Sequence, residues 1–246
     1  MCTLTLAWRA FEDDPVVVAA NRDESYGRPS APPTDRGDGV IAPRDARAGG
    51  TWMGVTRDGL FVGITNRWVE GLTGERSRGL LVDDCLHAGS ADDAAGHVEE
   101  SCRRHEYDGF NLVLADATTA LLLEWDGTLS VTEFRPGVHV VGNTGYDGHY
   151  FEPPARPDAG PTEARNATRL RRELTPRQGE SADAWLDRAG TALGDHAFDV
   201  CVHDEARGFG TVSSTLIRVG VDGSIRYDHA DGPPCETAFE SVDVDR

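Results

Sequence analysis

The sequence contains no lysine. All 24 basic residues are arginine, and 42 aspartates and glutamates outnumber them, which gives a net charge of −18. A negative surface keeps a protein dispersed in concentrated salt, where charges are screened within about 3 Å at 1 M ionic strength. We therefore expect a cytoplasmic protein from a high-salt environment, with a GC-rich coding sequence as the alternative explanation. No basic stripe offsets the negative charge, so nucleic acid is not an expected partner.

Long hydrophobic runs and recognisable cysteine patterns are also missing. No stretch approaches the roughly 20 apolar residues of a membrane span, and the N-terminus lacks the charged and apolar segments of a signal peptide. The five cysteines are an odd number without a Cys-x-x-Cys pair, which argues against a disulfide framework or a structural zinc site. Cys201 and His203 alternate on one predicted strand face, as ligands of a metal or haem could. Without a third ligand at a recognisable spacing we expect a packed strand there, and we expect neither metal nor cofactor.

The chain is long enough, at 246 residues, to bury a substantial core, and we expect one domain over residues 1–246. Hydrophobic alternation predicts strands in hairpins, near residues 3–8, 15–20, 51–56, 60–65, 110–115, 119–125, 129–134, 138–141, 200–202, 211–219 and 224–227. Helical patterns come in two pairs, near residues 77–88 and 91–106, then 162–174 and 181–193, with Ser90 a plausible N-cap. Residues 27–39 and 153–161 are predicted loops, and an acidic tail starts at Glu236. Clustered hairpins with segregated helices favour an α+β fold of antiparallel sheets covered by helices.

Cys2 is the strongest candidate for chemistry. Removal of Met1 would give this residue a free α-amine with a pKa of about 7.7–8.0 as well as its thiol. The amine can accept the thiol proton, so one residue supplies both nucleophile and base. A buried, inert cysteine is the alternative explanation.

The polar run from Asn21 to Glu24 follows a β-branched strand that is predicted to pair with the first strand. Antiparallel pairing would bring Arg22 beside Cys2, where a guanidinium favours the thiolate, and Asp23 could hold the terminal amine. A solvated hairpin turn is the alternative explanation for this run.

The pairing of Met1-Cys2-Thr3 with Asn21-Arg22-Asp23-Glu24 resembles the NRDE family, also called the transport-and-Golgi-organisation family. The resemblance continues through residues 28–29, 43–45, 48–55, 63–67, 109–112, 142–143 and 210–215, and so spans nearly the whole chain. It implies a four-layer αββα sandwich of two antiparallel sheets between helical layers. That fold is shared with the N-terminal-nucleophile hydrolases, and the pattern is similar to choloylglycine hydrolases and penicillin acylases.

The resemblance also implies roles for particular residues. Cys2 is then the nucleophile, Arg22 and Asp23 are its partners, and Asn66 and Asn143 line the acyl site. The expected substrate-binding residues are Asn21, Glu24, Trp52 and Arg67. Aromatic side chains on strands more often belong to a core, which is the alternative for Trp52.

One position departs from the family pattern. Val212 stands where an arginine usually precedes the Ser-Ser/Thr run, and Arg207 and Arg218 are not in register with it. Two functions follow as hypotheses. The first is an amidohydrolase that cleaves a non-peptide C–N bond of a small or lipid-like substrate. The second, which Val212 favours, is a non-catalytic protein that binds haem, acyl-CoA or lipid on the same fold.

Overall fold

A computed structural model describes residues 2–244 of the chain. The strands are β1 (Thr3–Trp8), β2 (Val16–Ser25), β3 (Ser30–Asp35), β4 (Val40–Asp45), β5 (Met53–Thr56), β6 (Phe61–Asn66), β7 (Phe110–Ala115), β8 (Ala120–Trp125), β9 (Leu129–Glu133), β10 (Gly137–Val141), β11 (Gly145–Tyr146), β12 (His149–Tyr150), β13 (His203–Asp204), β14 (Phe209–Val219), β15 (Ile225–Ala230) and β16 (Glu240–Ser241). The helices are α1 (Arg78–Cys85), α2 (Ala91–Arg104), α3 (Ala159–Glu173) and α4 (Ala182–Gly194). Over these same residues, no helix combines the length and apolar character needed to cross a bilayer.

The strands of residues 2–244 form two antiparallel sheets. The first runs in the order β12-β11-β10-β1-β2-β14-β15-β16, with β13 paired to β14, and the second runs from β3 to β9 in chain order. β1 and β2 lie inside the first sheet, with paired strands on both sides. The polar end of β2, from Asn21 to Ser25, pairs with β14, and Asn21 also pairs with Thr3 of β1.

Side-chain alternation along β1 separates the layers. Leu4 and Leu6 pack between the two sheets, whereas Ala7 points the other way and packs with Trp185 under α3 and α4. On the far side of the second sheet, Leu112 packs against α1 and α2. The order of layers is helix, sheet, sheet, helix, which confirms the predicted α+β class and the four-layer sandwich.

Helix starts follow the capping signals in the sequence. The Ser90 side chain accepts a hydrogen bond from the Asp93 N–H at 3.1 Å, as predicted for the start of α2. Ser77 and Ser181 cap α1 and α4 in the same way. An N-cap serine satisfies a backbone donor that the helix itself leaves unpaired, so the signal is local and readable.

Three local predictions differ from the structure. The predicted loop over residues 27–39 contains β3, which includes Pro32 and Pro33. Proline is tolerated because β3 is an edge strand, and its pairing with β4 is interrupted between Ala31 and Thr34. The strand predicted at residues 200–202 begins instead at His203, and the acidic tail contributes the short strand β16.

Candidate active site

A cavity of about 330 Å³ lies where the first strands of the first sheet meet β5, β6 and the start of α1. Seven of the nine site residues predicted from the sequence line it: Cys2, Asn21, Arg22, Asp23, Glu24, Trp52 and Asn66. The remaining two predicted residues, Asn143 and Arg67, are absent from its lining within residues 2–244.

Cys2 lies on the cavity wall, immediately before β1. Thr3 pairs with Asn21, so the antiparallel register brings Cys2 to the level of Arg22 and Asp23. The Asp23 N–H donates to the Cys2 sulfur at 3.4 Å, and the Cys2 N–H donates to the Asn143 Oδ1 at 2.9 Å. Burial raises the pKa of the Cys2 thiol, the Asp23 carboxylate raises it further, and Arg22 opposes both. While Cys2 remains joined to Met1, its thiol is therefore protonated at neutral pH.

Asp23 is buried beneath the thiol, with 5% of its surface exposed. Its Oδ1 accepts a hydrogen bond of 2.6 Å from the Thr211 hydroxyl on β14. Burial raises the pKa of the Asp23 carboxyl, against the opposing effect of the Thr211 bond. No local pattern in the sequence connects Thr211 with Asp23, because the two residues are 188 positions apart.

Arg22 is held by an aromatic ring. Its guanidinium carbon lies 4.0 Å from the centre of the Trp52 ring, a cation–π contact. Trp52 also packs against the core between the sheets, as the alternative explanation expects, and its role in substrate binding stays a prediction. Burial lowers the pKa of Arg22, while Glu24, Cys2 and Asp45 oppose that effect. Arginine nevertheless stays protonated in proteins, so a positive charge faces the thiol.

The two predicted asparagines contact each other, and one of them also contacts Cys2. Asn143 is buried, and its Nδ2 donates to the Asn66 main-chain oxygen at 2.7 Å. Its Oδ1 accepts the hydrogen bond from the Cys2 N–H, so this side chain holds the main chain at Cys2 in place. Asn66, by contrast, is exposed at the cavity edge, where a bound substrate could contact it.

The side chains of two predicted substrate-binding residues have other partners. The Asn21 amide donates to the main-chain oxygens of Leu193 and Val200, which fastens the end of α4 to β2. Arg67 donates to Glu124 at 2.7 Å and stacks on the Phe151 ring, outside the cavity. Neither contact is with the thiol, and a role in substrate binding stays a prediction for both residues.

Val212 is the extra residue of a β-bulge. The register between β14 and β2 shifts between Thr211 and Ser213, which leaves Val212 without a partner across the ladder. Arg218 lies at the other end of β14, where it bonds to Asp14, and Arg207 is exposed beside Asp204. No arginine of β14 therefore lies among the described residues that line the cavity.

Other arginines, which were not predicted from the sequence, supply positive charge to the cavity. Arg28, Arg76 and Arg78 line the cavity together with Arg22. Arg28 pairs with Asp45, and Arg76 pairs with Asp84. Within residues 2–244, neither Arg22 nor Arg78 has a carboxylate at ion-pair distance, and Arg78 donates only to the Gly109 oxygen, at 2.6 Å. The Arg-Ser-Arg run before α1 was the available signal, but nothing local connects it to Cys2.

The family comparison covers most of the chain. The sequence model of the family described as Transport and Golgi organisation 2 matches residues 1–228. The Transport and Golgi organization protein 2 homolog of Homo sapiens is 35% identical over 111 residues, which are 43% of this chain and 40% of the human protein. The Bos taurus protein of the same name is 30% identical over 240 residues, covering 86% of this chain and 84% of its own.

Solved structures share the architecture. An orthologue of the N-acylethanolamine-hydrolyzing acid amidase from Caenorhabditis elegans superposes with a TM-score of 0.57 at 13% identity, over 88% of this chain and 92% of its own. Penicillin V acylase from Agrobacterium tumefaciens also gives 0.57, at 11% identity, over 94% and 83%. Identities this low concern the fold alone, which is that of the N-terminal-nucleophile hydrolases.

Proposed function

Because this chain belongs to the Transport and Golgi organisation 2 family, we propose that it is an N-terminal cysteine hydrolase of a linear, non-peptide amide. The observation that carries the proposal is the position of the Cys2 sulfur. It lies on a cavity wall, receives the Asp23 N–H at 3.4 Å, and has the Arg22 charge in the same cavity. A cysteine kept only for packing needs neither a cavity nor a facing guanidinium.

The proposed reaction begins when Met1 has been removed. The α-amine of Cys2 takes the thiol proton, and the sulfur attacks the carbonyl carbon of the substrate. The C–N bond then breaks, and the amine group of Cys2 returns a proton to the leaving nitrogen. A water molecule hydrolyses the resulting thioester, which releases a carboxylic acid and restores the thiol.

Asn143 and Asp23 would position the reacting groups. The Cys2 nitrogen already donates to the Asn143 Oδ1, a contact that a free amine could keep. The Asn66 side chain, exposed at the cavity edge, is the proposed donor to the oxyanion of the tetrahedral intermediate. Preorganised donors of this kind stabilise developing charge strongly, since they need no reorientation during the reaction.

The arginines of the cavity indicate an anionic group on the substrate. Arg22 and Arg78 lack a carboxylate partner within residues 2–244, although the chain carries a net charge of −18. Burial lowers the pKa of Arg78, which reflects the cost of holding its charge away from water. A carboxylate or phosphate on a small or lipid-like substrate would offset that cost.

The reactivity of Cys2 tests the proposal. Protein with Met1 removed and protein with Met1 retained are each verified by intact mass and then treated with iodoacetamide at neutral pH. A cation within about 4–6 Å lowers a thiol pKa by about 1–3 units, so removal of Met1 should speed alkylation of Cys2 about 10-fold or more. Cys85 and Cys102 are internal controls, since burial raises their pKa values to about 12 and about 11.

Hydrolysis is then measured on paired amide substrates that differ only in an anionic group. Cys2→Ala should abolish cleavage, while Cys102→Ala should leave it unchanged. Equal alkylation of Cys2 with and without Met1, or a mature protein that retains Met1, would contradict the proposal.

The position of Val212 supports a second candidate function, binding without catalysis. The bulge at Val212 brings no arginine of β14 to the described cavity wall, so the charge arrangement differs from the family pattern. Haem or acyl-CoA would then be the occupant. Addition of either ligand to Cys2→Ala protein should raise its Tm or shift the haem spectrum; no change in both measurements would count against this function.

A further inference from the structure

Four potential metal ligands lie close together near β13, the short strand that precedes β14. His196, Cys201, His203 and Cys235 each offer one nitrogen or sulfur atom, and these four atoms all lie within 4.8 Å of one another. The Cys201 sulfur is 3.6 Å from the His203 Nε2 and 3.6 Å from the Cys235 sulfur. The His203 Nε2 is 3.2 Å from the Cys235 sulfur.

The three distances among Cys201, His203 and Cys235 are close to the edges of a tetrahedral zinc site, and the His196 ligand atom lies within 4.8 Å of the other three. Bonds of about 2.3 Å to sulfur and about 2.0–2.1 Å to nitrogen place two sulfurs about 3.8 Å apart, and a sulfur and a nitrogen about 3.5 Å apart. We propose that His196, Cys201, His203 and Cys235 bind one zinc ion in a closed, structural Cys₂His₂ site. Two thiolates with two imidazoles in a tetrahedral arrangement select zinc over magnesium or calcium, which prefer oxygen ligands.

A disulfide between Cys201 and Cys235 explains the cluster less well. Such a bond requires a sulfur–sulfur distance of about 2.05 Å, whereas the two sulfurs are 3.6 Å apart. It would also leave unexplained why the imidazole rings of His196 and His203 lie beside these two sulfurs, with ring centres 5.3 Å apart. A metal ion accounts for all four side chains together.

The backbone brings Cys235 to the cluster by close packing. A Cβ on Gly194, at the end of α4, would lie 2.9 Å from the Pro234 oxygen and 3.1 Å from the Cys235 nitrogen. Glycine is therefore the residue that allows the tail to approach α4 this closely. The 34 residues between Cys201 and Cys235 hide this proximity from any spacing rule, which is why the sequence predicts no zinc site.

The proposed ion would stabilise the wall behind the candidate active site. Val202, which lies between two of the ligands, donates its N–H to the Thr211 hydroxyl at 2.8 Å, and its oxygen accepts the Thr211 N–H at 2.8 Å. The same Thr211 hydroxyl donates to Asp23. Zinc would thus fix the segment that orients Thr211, without contacting substrate itself.

Metal content tests the proposal on the full chain. Protein purified under reducing conditions without chelator should contain one zinc per chain by elemental mass spectrometry. Apo protein should recover zinc in competition with a colorimetric chelator. Replacing an outer-shell partner of a metal typically costs about 10–100-fold in affinity, so Cys235→Ser and His203→Ala should each cost about 100-fold or more. Cys102→Ser, whose thiol lies on α2, is the matched control and should bind like the unsubstituted protein.

A second measurement avoids variants that could fail to fold. Apo protein loaded with Co²⁺ should show the intense visible bands of tetrahedral cobalt and a thiolate charge-transfer band. Weak octahedral bands, zinc binding no tighter than that of Cys235→Ser, or recovery of a Cys201–Cys235 disulfide from freshly purified protein would each overturn the proposal.

Discussion

Thr211 offers a sharp test of the hydrogen bonds behind Cys2. Its hydroxyl accepts from the Val202 N–H at 2.8 Å and donates to Asp23 at 2.6 Å, and the residue is 2% exposed. Thr211→Val replaces that hydroxyl with a methyl group of similar shape. The substitution leaves the Val202 N–H without its acceptor and removes one donor to the carboxyl. A buried polar group left unsatisfied costs about 1–3 kcal/mol, so we expect a loss of about 2–4 kcal/mol in the free energy of unfolding.

Thr5 provides the matched control in the same sheet. It is fully buried on β1, and within residues 2–244 its hydroxyl has no hydrogen-bond partner. Thr5→Val therefore removes a buried polar group that gains nothing in the folded state, and we expect the protein to be unchanged or stabilised by about 1 kcal/mol. The chemical change is identical at both positions, and only the hydrogen bonding differs.

Scanning calorimetry and urea unfolding would measure both variants. For a chain of this size 1 kcal/mol moves Tm by about 2–4 °C, so Thr211→Val should lower Tm by roughly 4–16 °C, and Thr5→Val should not lower it. Equal Tm values for the two variants would refute the reasoning, since they would mean that the bonds to Val202 and Asp23 contribute nothing.

Two further predictions concern the frame of the site. The buried Glu163 Oε2 accepts from the Thr144 N–H and hydroxyl, both at 2.7 Å, and burial raises the pKa of this carboxyl above its usual 4.5. The folded state therefore holds a proton that the unfolded chain loses above pH 4.5, and stability falls as pH rises from there through the folded pKa. Glu163→Gln keeps an acceptor without the charge, so its Tm relative to the unsubstituted protein should increase from pH 4 to pH 7. Glu163→Ala removes the acceptor and should be less stable. A difference in Tm between Glu163→Gln and the unsubstituted protein that does not change with pH would contradict this reasoning. Gly50 has φ of +71°, and a Cβ there would lie 2.1 Å from the Gly79 oxygen at the start of α1. Gly50→Ala should therefore lower Tm well beyond Gly37→Ala, which has φ of +80° and open space; similar losses would show that backbone strain alone is responsible.

Local signals predicted most of the fold. β1 and β7 have the bounds that hydrophobic alternation indicates, and Ser90 caps α2 as expected. These features depend on neighbouring residues, which a sequence displays directly. β3 was missed because proline normally argues against a strand, and only its place at the edge of a sheet removes that penalty.

In the candidate site, too, the residues with a local sequence signal were predictable and those from distant elements were not. Cys2, Arg22 and Asp23 were predictable because one hairpin register brings them together. Arg78 and Thr211 were not, since each reaches the cavity region from a distant element that gives no local signal. The ligands of the proposed zinc site show the same difference. Cys201 and His203 are two positions apart in the sequence, whereas Cys235 is brought to them only by the packing of the tail.

The place of β2 between β1 and β14 also governs how the chain must be assembled. β14 pairs with β2 along nearly its whole length, although almost 200 residues lie between Asn21 and its partner Ser214. Pairing over such a separation is slow, because a long loop must close before any contact is gained. During synthesis β2 therefore presents an unpaired apolar edge until Phe209–Val219 has emerged, and an exposed edge of that kind readily recruits another chain. Fragments that stop short of β14 would consequently tend to aggregate.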